Sequence, residues 1–164
     1  MEVQLEPGHD EPMRQDLHFV TLGVSDLPTS RRFYVEGLGW EPTLDVAEIV
    51  FLQVAPGVLL GLFAASDLAH DIGDAPPSVV PGPAPGRMAL AQNVGSEAEV
   101  DAAVARAAAA GGTVVKPPQP AAFGGYHAYV ADPDGFRWEI AHNPGWSIDP
   151  DGSVRFGPIS SAGT

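Results

Sequence analysis

His18-Phe19-Val20-Thr21-Leu22-Gly23-Val24-Ser25-Asp26-Leu27-Pro28 decides the architecture, because one short stretch holds both the end of a strand and the start of a helix. Val20, Thr21, Leu22 and Val24 are branched or aliphatic residues that favour an extended, half-buried strand. Asp26 then offers a carboxylate to the free amides of a helix N-terminus, and Pro28 falls in the first turn, where a missing N–H costs nothing. A short helix is predicted through Arg31, Phe33 and Tyr34, stopped by Gly37 and Gly39. Three strands are predicted after it, around 40–44, 48–54 and 58–63. Pro56-Gly57 turns the chain between the last two. The unit reads βαβββ.

Beyond it, Pro76, Pro77, Pro81, Pro83 and Pro85 exclude regular structure from most of a connector, leaving room for a helical turn at 66–70. The order then repeats. Residues 88–94 are strand-like, and Ser96 with Glu99 forms a capping box. A helix follows through Val100, Val104, Ala107 and Ala108 to Gly111-Gly112. Residues 113–116 predict a strand that Pro117-Pro118 breaks. Residues 126–131 and 136–142 predict two more, turned by Asp132-Pro133-Asp134-Gly135. The expected fold is α+β, with two βαβββ modules at about 17–64 and 87–144 and a linker at 65–86. Their open sheets pair into a cup-shaped mixed sheet with the helices outside. Residues 1–16 read as a flexible leader. Residues 145–164 read as a C-terminal tail, where Asp149-Pro150-Asp151-Gly152 favours a small hairpin.

Composition narrows the functions. The chain has no cysteine, which removes disulfides, thiolate nucleophiles and thiolate-bound zinc. Eight Lys and Arg face 21 Asp and Glu, a net charge of −13 that repels phosphate backbones and excludes nucleic acid as a partner. Taken over the whole chain, that field favours a cationic small molecule, although acidity also serves plain solubility. No apolar run approaches the ~18 residues of a membrane span. The acidic, Pro-containing start lacks the pattern of a signal peptide, so a cytoplasmic protein is expected.

Val20-Thr21-Leu22-Gly23-Val24-Ser25-Asp26-Leu27, then Arg32-Phe33-Tyr34 and Gly37-Leu38-Gly39-Trp40, resemble the opening of a vicinal oxygen chelate protein of the glyoxalase/bleomycin resistance protein/extradiol dioxygenase superfamily. Gly124-Gly125-Tyr126, Ala131-Asp132-Pro133-Asp134-Gly135 and Trp138-Glu139-Ile140 resemble its closing strands. The resemblance covers about 17–144. Known members include glyoxalases, fosfomycin-modifying transferases, extradiol dioxygenases, epimerases and bleomycin-binding proteins, so fold alone does not select a chemistry. The resemblance also implies a homodimer in which facing subunits complete the cups.

In the family's metal enzymes the ligands project from the first strand of each half and from the last strand. The resemblance places those positions on Phe19, Arg87 and Glu139. Phenylalanine cannot ligate, and a guanidinium has no free lone pair. No cofactor is therefore expected; the alternative is one divalent metal held through Glu139. His18 stands one residue from the ligand position, and a one-residue offset in a strand points to the opposite face. Arg87 is expected to pair with Glu139, either as a structural salt bridge or with Arg87 holding an anionic or carbonyl group and Glu139 acting as base. His127 shares strand parity with Tyr129 and reads as a hydrogen-bond donor, as a general base, or simply as pocket lining. Thr21 shares a face with Phe19. Phe19, Phe123, Tyr126 and Tyr129 form a candidate apolar wall for a planar ligand.

The catalytic candidates are thus Glu139 and His127, and the ligand-binding candidates are Phe19, Thr21, Arg87, Tyr129 and Phe123. The expected function is a small-molecule-binding protein of the bleomycin-resistance type with a degenerate metal site, sequestering drugs or handling natural products. The alternative is a metal-dependent lyase or dioxygenase of the same superfamily.

Overall fold

The computed structural model describes residues 14–74, 86–122 and 124–157. The first module runs β1 (Phe19–Val24), α1 (Leu27–Arg31), a π-helical turn (Arg32–Gly37), β2 (Pro42–Asp45), β3 (Ile49–Ala55) and β4 (Val58–Ala64). Its sheet has the order β1-β4-β3-β2, with β1 parallel to β4. α2 (Ala65–Ile72) follows where a single helical turn was expected. The second module runs β5 (Leu90–Asn93), α3 (Glu97–Ala109), β6 (Thr113–Pro120), β7 (Tyr126–Ala131) and β8 (Arg137–His142), in the order β5-β8-β7-β6 with β5 parallel to β8. The expected α+β fold of two βαβββ modules is what forms. β9 (Trp146–Ile148) and β10 (Val154–Phe156) make the tail hairpin. No helix among the described residues is long and apolar enough to cross a membrane.

Local chemistry sets the helix starts. Asp26 accepts from the Thr29 amide at 3.1 Å, and Ser96 accepts from the Glu99 amide at 3.2 Å. The Glu99 carboxylate reaches back to the Gly95 amide at 2.9 Å, one residue earlier than in a standard capping box.

Strand alternation then divides each sheet into two faces. Leu22 and Val24 of β1, Val50 and Leu52 of β3, and Leu60 and Leu62 of β4 are buried in one core with Phe33, Tyr34, Val100 and Val104. Ala128, Val130, Trp138 and Ile140 of the second sheet join the same core. The opposite faces carry Phe19 and Thr21 in the first sheet, and His127, Tyr129 and Glu139 in the second.

The modules meet where the first module's helical segment touches the β7–β8 turn. Tyr34 donates to Asp132 at 2.7 Å, and the Trp138 indole donates to the Tyr34 oxygen at 3.0 Å. Asp134 accepts from the Ser25 amide at 2.8 Å, from the Ser25 hydroxyl, and from the Ser30 hydroxyl at 2.9 Å. Close approach needs a glycine at this junction: a Cβ on Gly37 would lie 2.3 Å from that of Ala110.

One expectation is overturned. Pro117-Pro118 does not end the strand; β6 continues to Pro120. β6 is the sheet edge, where a proline's missing N–H removes no ladder bond on the open side. The strand accommodates the prolines by slipping register between Val114 and Lys116 and again between Lys116 and Gln119.

Candidate functional site

Pairing across β7 and β8 sets Tyr129 opposite Glu139 and His127 opposite Ala141. His127 and Glu139 are therefore diagonal neighbours on one face, within reach of long side chains. His127 Nδ1 lies 2.8 Å from Glu139 Oε1, with the imidazole almost fully buried and the carboxylate partly so. On the other side of the ring, Lys116 Nζ lies 2.9 Å from His127 Nε2. Lysine only donates and a carboxylate only accepts, so this line is satisfied by a neutral imidazole with its proton on Nδ1. Lys116 donates to Nε2, and Nδ1–H donates to Glu139. Tyr129 packs edge-on to the His127 ring at 5.7 Å. Burial raises its phenol above the usual range, and the neighbouring Glu139 carboxylate raises it further by charge and hydrogen bonding.

The expected Arg87–Glu139 pair does not form among the described contacts; His127 takes that carboxylate. The parallel register explains why. Ala91 stands beside Glu139, and Arg87 lies four residues earlier in the chain, before β5 begins at Leu90. Arg87 instead lines an open cleft of about 400 Å³ with Tyr129, Arg137, Met88 and Val115.

Phe19 and Thr21 occupy the corresponding face of the first sheet. Phe19 is 56% exposed and packs at a tilt against Phe51, with ring centroids 5.7 Å apart. Among the described residues no hydrogen bond, ion pair or ring contact links either residue to Glu139 or Tyr129. Opposite Thr21 stands Gly61, where a Cβ would come within 3.0 Å of the Phe51 ring and 3.3 Å of the Thr21 hydroxyl. Sequence reading passed over this glycine. His18 is exposed just before β1, and its carbonyl accepts from the Leu59 amide at 2.9 Å. His142 lies 3.2 Å from the Val94 carbonyl through Nδ1. Tyr126 donates to Asp101 at 3.0 Å, away from this cluster. Phe123 lies outside the described residues.

The positions implied as metal ligands do not suit a metal. Phe19 and Arg87 offer no free lone pair to a cation, and Glu139 is hydrogen-bonded by His127. Among the described residues no group of three or more His, Asp or Glu is placed to hold an ion. A second cleft of about 540 Å³, lined by Val20, Leu52, Leu60, Leu90, Gln92 and Trp138 among others, lies on the core-facing side of the sheets and lacks the polar cluster.

Residues 16–140 match the family model described as Glyoxalase/Bleomycin resistance protein/Dioxygenase superfamily. No curated relative matches the chain. Among solved structures, a glyoxalase-related enzyme from Fulvimarina pelagi is 44% identical, with 88% of this chain and 100% of that chain covered and a TM-score of 0.78. A glyoxalase/bleomycin resistance protein from Albidiferax ferrireducens T118 is 28% identical, covering 78% and 98%, with a TM-score of 0.59. A lactoylglutathione lyase from Agrobacterium tumefaciens, at 24% identity, 79% and 95% coverage and a TM-score of 0.59, shares the fold.

Proposed function

The chain belongs to the Glyoxalase/Bleomycin resistance protein/Dioxygenase superfamily, and from that premise we propose that it is a metal-independent small-molecule-binding protein. One observation carries the reading. Glu139, the carboxylate the resemblance marks as a metal ligand, is hydrogen-bonded to His127 at 2.8 Å, while the other two marked positions hold Phe19 and Arg87.

The binding surface in this reading is the face of the second sheet turned away from the helices, with Tyr129 as its aromatic platform. Lys116, His127 and Glu139 form its polar floor. Their charges cancel and their hydrogen bonds run between one another, so a ligand meets a preorganised wall. Proton exchange with a bound molecule, where it occurs, falls to His127 and Glu139. The homodimer implied by the family gives Phe19 and Thr21 a part in the site: a partner sheet laid on them covers apolar surface that one chain leaves open.

Elemental analysis beside native mass spectrometry of the purified protein tests the proposal. Far less than one equivalent of Zn, Ni, Fe or Mn is expected, with planar compounds quenching tyrosine or tryptophan fluorescence and losing affinity in Tyr129→Ala. One equivalent of metal, with turnover of a hemithioacetal or catechol that Tyr129→Ala leaves unchanged, overturns it.

A further inference from the structure

Resting on that binding reading, we infer that the ligand carries an oxyanion, a carboxylate or a phosphonate-type group, held between Arg87 and Arg137 at the end of the face beyond Tyr129. The charge distribution points there. The chain as a whole carries −13, yet the face of the second sheet turned away from the helices, with the segment that leads into β5, presents Lys116, Arg87 and Arg137 against a single carboxylate, Glu139. Lys116 and Glu139 are joined through His127 and cancel each other. The two guanidiniums remain. They line the same open cleft of about 400 Å³. Among the described residues neither forms an ion pair, although the chain has 21 Asp and Glu.

Two like charges facing one cleft repel each other, and an anion between them reverses the sign of the interaction. Arg137 Nη1 donates to the Gly135 carbonyl at 2.7 Å, which anchors the side chain and leaves its other donors for a ligand. Guanidinium forks match planar carboxylates and tetrahedral phosphonates through paired N–H donors, a geometry that lysine does not offer. Tyr129, Val115 and Met88 line the rest of the cleft, so the body attached to the anion is a small aryl or alkyl group. The cation preference that net charge alone suggests is reversed locally.

Titration calorimetry of the full chain with benzoate, phenylphosphonate, benzamide and benzamidinium tests this. Benzoate or phenylphosphonate is expected to bind, and the tighter of the two identifies the head group. Benzamide and benzamidinium are expected to bind at least about tenfold more weakly, since each lacks a charge-assisted pair. Arg87→Met and Arg137→Met should each weaken the oxyanion by roughly tenfold or more at an unchanged melting temperature. Should Arg137→Met fail to fold, the exposed Arg87→Met and the charge-keeping Arg137→Lys still decide, because the fork is lost in both. Oxyanion affinity unchanged in these variants, equal affinity for benzamide, or no oxyanion binding at all overturns the inference. Neutral or cationic aryl probes that still quench fluorescence would then leave the binding reading standing. That reading fails separately, on one equivalent of bound metal with turnover.

Discussion

At the scale of single residues, Tyr129 reports on the polar cluster. Its phenol titrates above the ordinary value of 10.0, through burial first and then through the charge and hydrogen bond of Glu139. A raised folded value means that the stability this phenol contributes is complete below pH 10 and is lost as pH rises through the folded value. Glu139→Gln removes the charge, leaves only a neutral acceptor in place of the carboxylate, and leaves burial. The Tyr129 titration, followed by alkaline ultraviolet absorbance or tyrosine-labelled NMR, should therefore move down toward 10 without reaching it. An unchanged titration would show that Glu139 does not act on the ring. His127 and Tyr129 are legible as neighbours from strand parity, and the family resemblance, not parity, brings Glu139 to the same site. The partner of Glu139 is not legible. Choosing between Arg87 and His127 needs the β5–β8 register, and nothing in the spacing of residues supplies it. Arg137 was within reach, two residues from Glu139 on the same face.

At the scale of elements, the N-caps Asp26 and Ser96 are legible in the sequence, the return contact of Glu99 falls one residue early, and the extent of β6 is not legible. Ser96 caps α3, whose Val100, Val104 and Ala107 are buried, so the cap holds a helix the core depends on. Ser96→Ala should cost about 1 kcal/mol. Thermal unfolding followed by circular dichroism checks the loss, and an unchanged midpoint would mean that the Glu99–Gly95 contact alone holds the end. β6 shows where local rules run out. A proline pair argues against a strand until one knows that the strand is an edge, and edge position is a property of the sheet. The slip between Val114 and Lys116 also reverses parity. In a regular strand Lys116 would share the face of Val114, whereas the bulge brings it to His127. No sequence pattern announces that a lysine will cross from one face to the other.

At the scale of the molecule, both modules depend on one buried set of polar contacts. Burial raises the Asp132 carboxyl above 3.8, and the hydrogen bond from Tyr34 partly offsets this. Burial, reinforced by the Asp132 charge, pushes the Tyr34 phenol well up. Tyr34→Phe removes a donor to a carboxylate and leaves the Trp138 indole without its acceptor, a loss of about 1.5–3 kcal/mol. The sign of its pH dependence follows. A raised carboxyl contributes stability below about pH 3.8 that is lost as pH rises through the folded value. Without Tyr34's hydroxyl the folded value rises further. The gap between variant and parent should therefore widen from pH 3 to pH 7 in urea titrations, and a constant gap would deny the coupling. Duplicated modules and the Phe33-Tyr34 and Asp132-Pro133-Asp134-Gly135 signatures made the architecture legible; that the two signatures touch is visible only in the fold. The contact also spans a long wait. Tyr34 and Asp132 are 98 residues apart, and a ribosome adds roughly 5–20 residues per second. During synthesis Tyr34 therefore waits on the order of ten seconds for Asp132 and Trp138, so the first module begins to collapse around a phenol whose hydrogen-bond partners are not yet made.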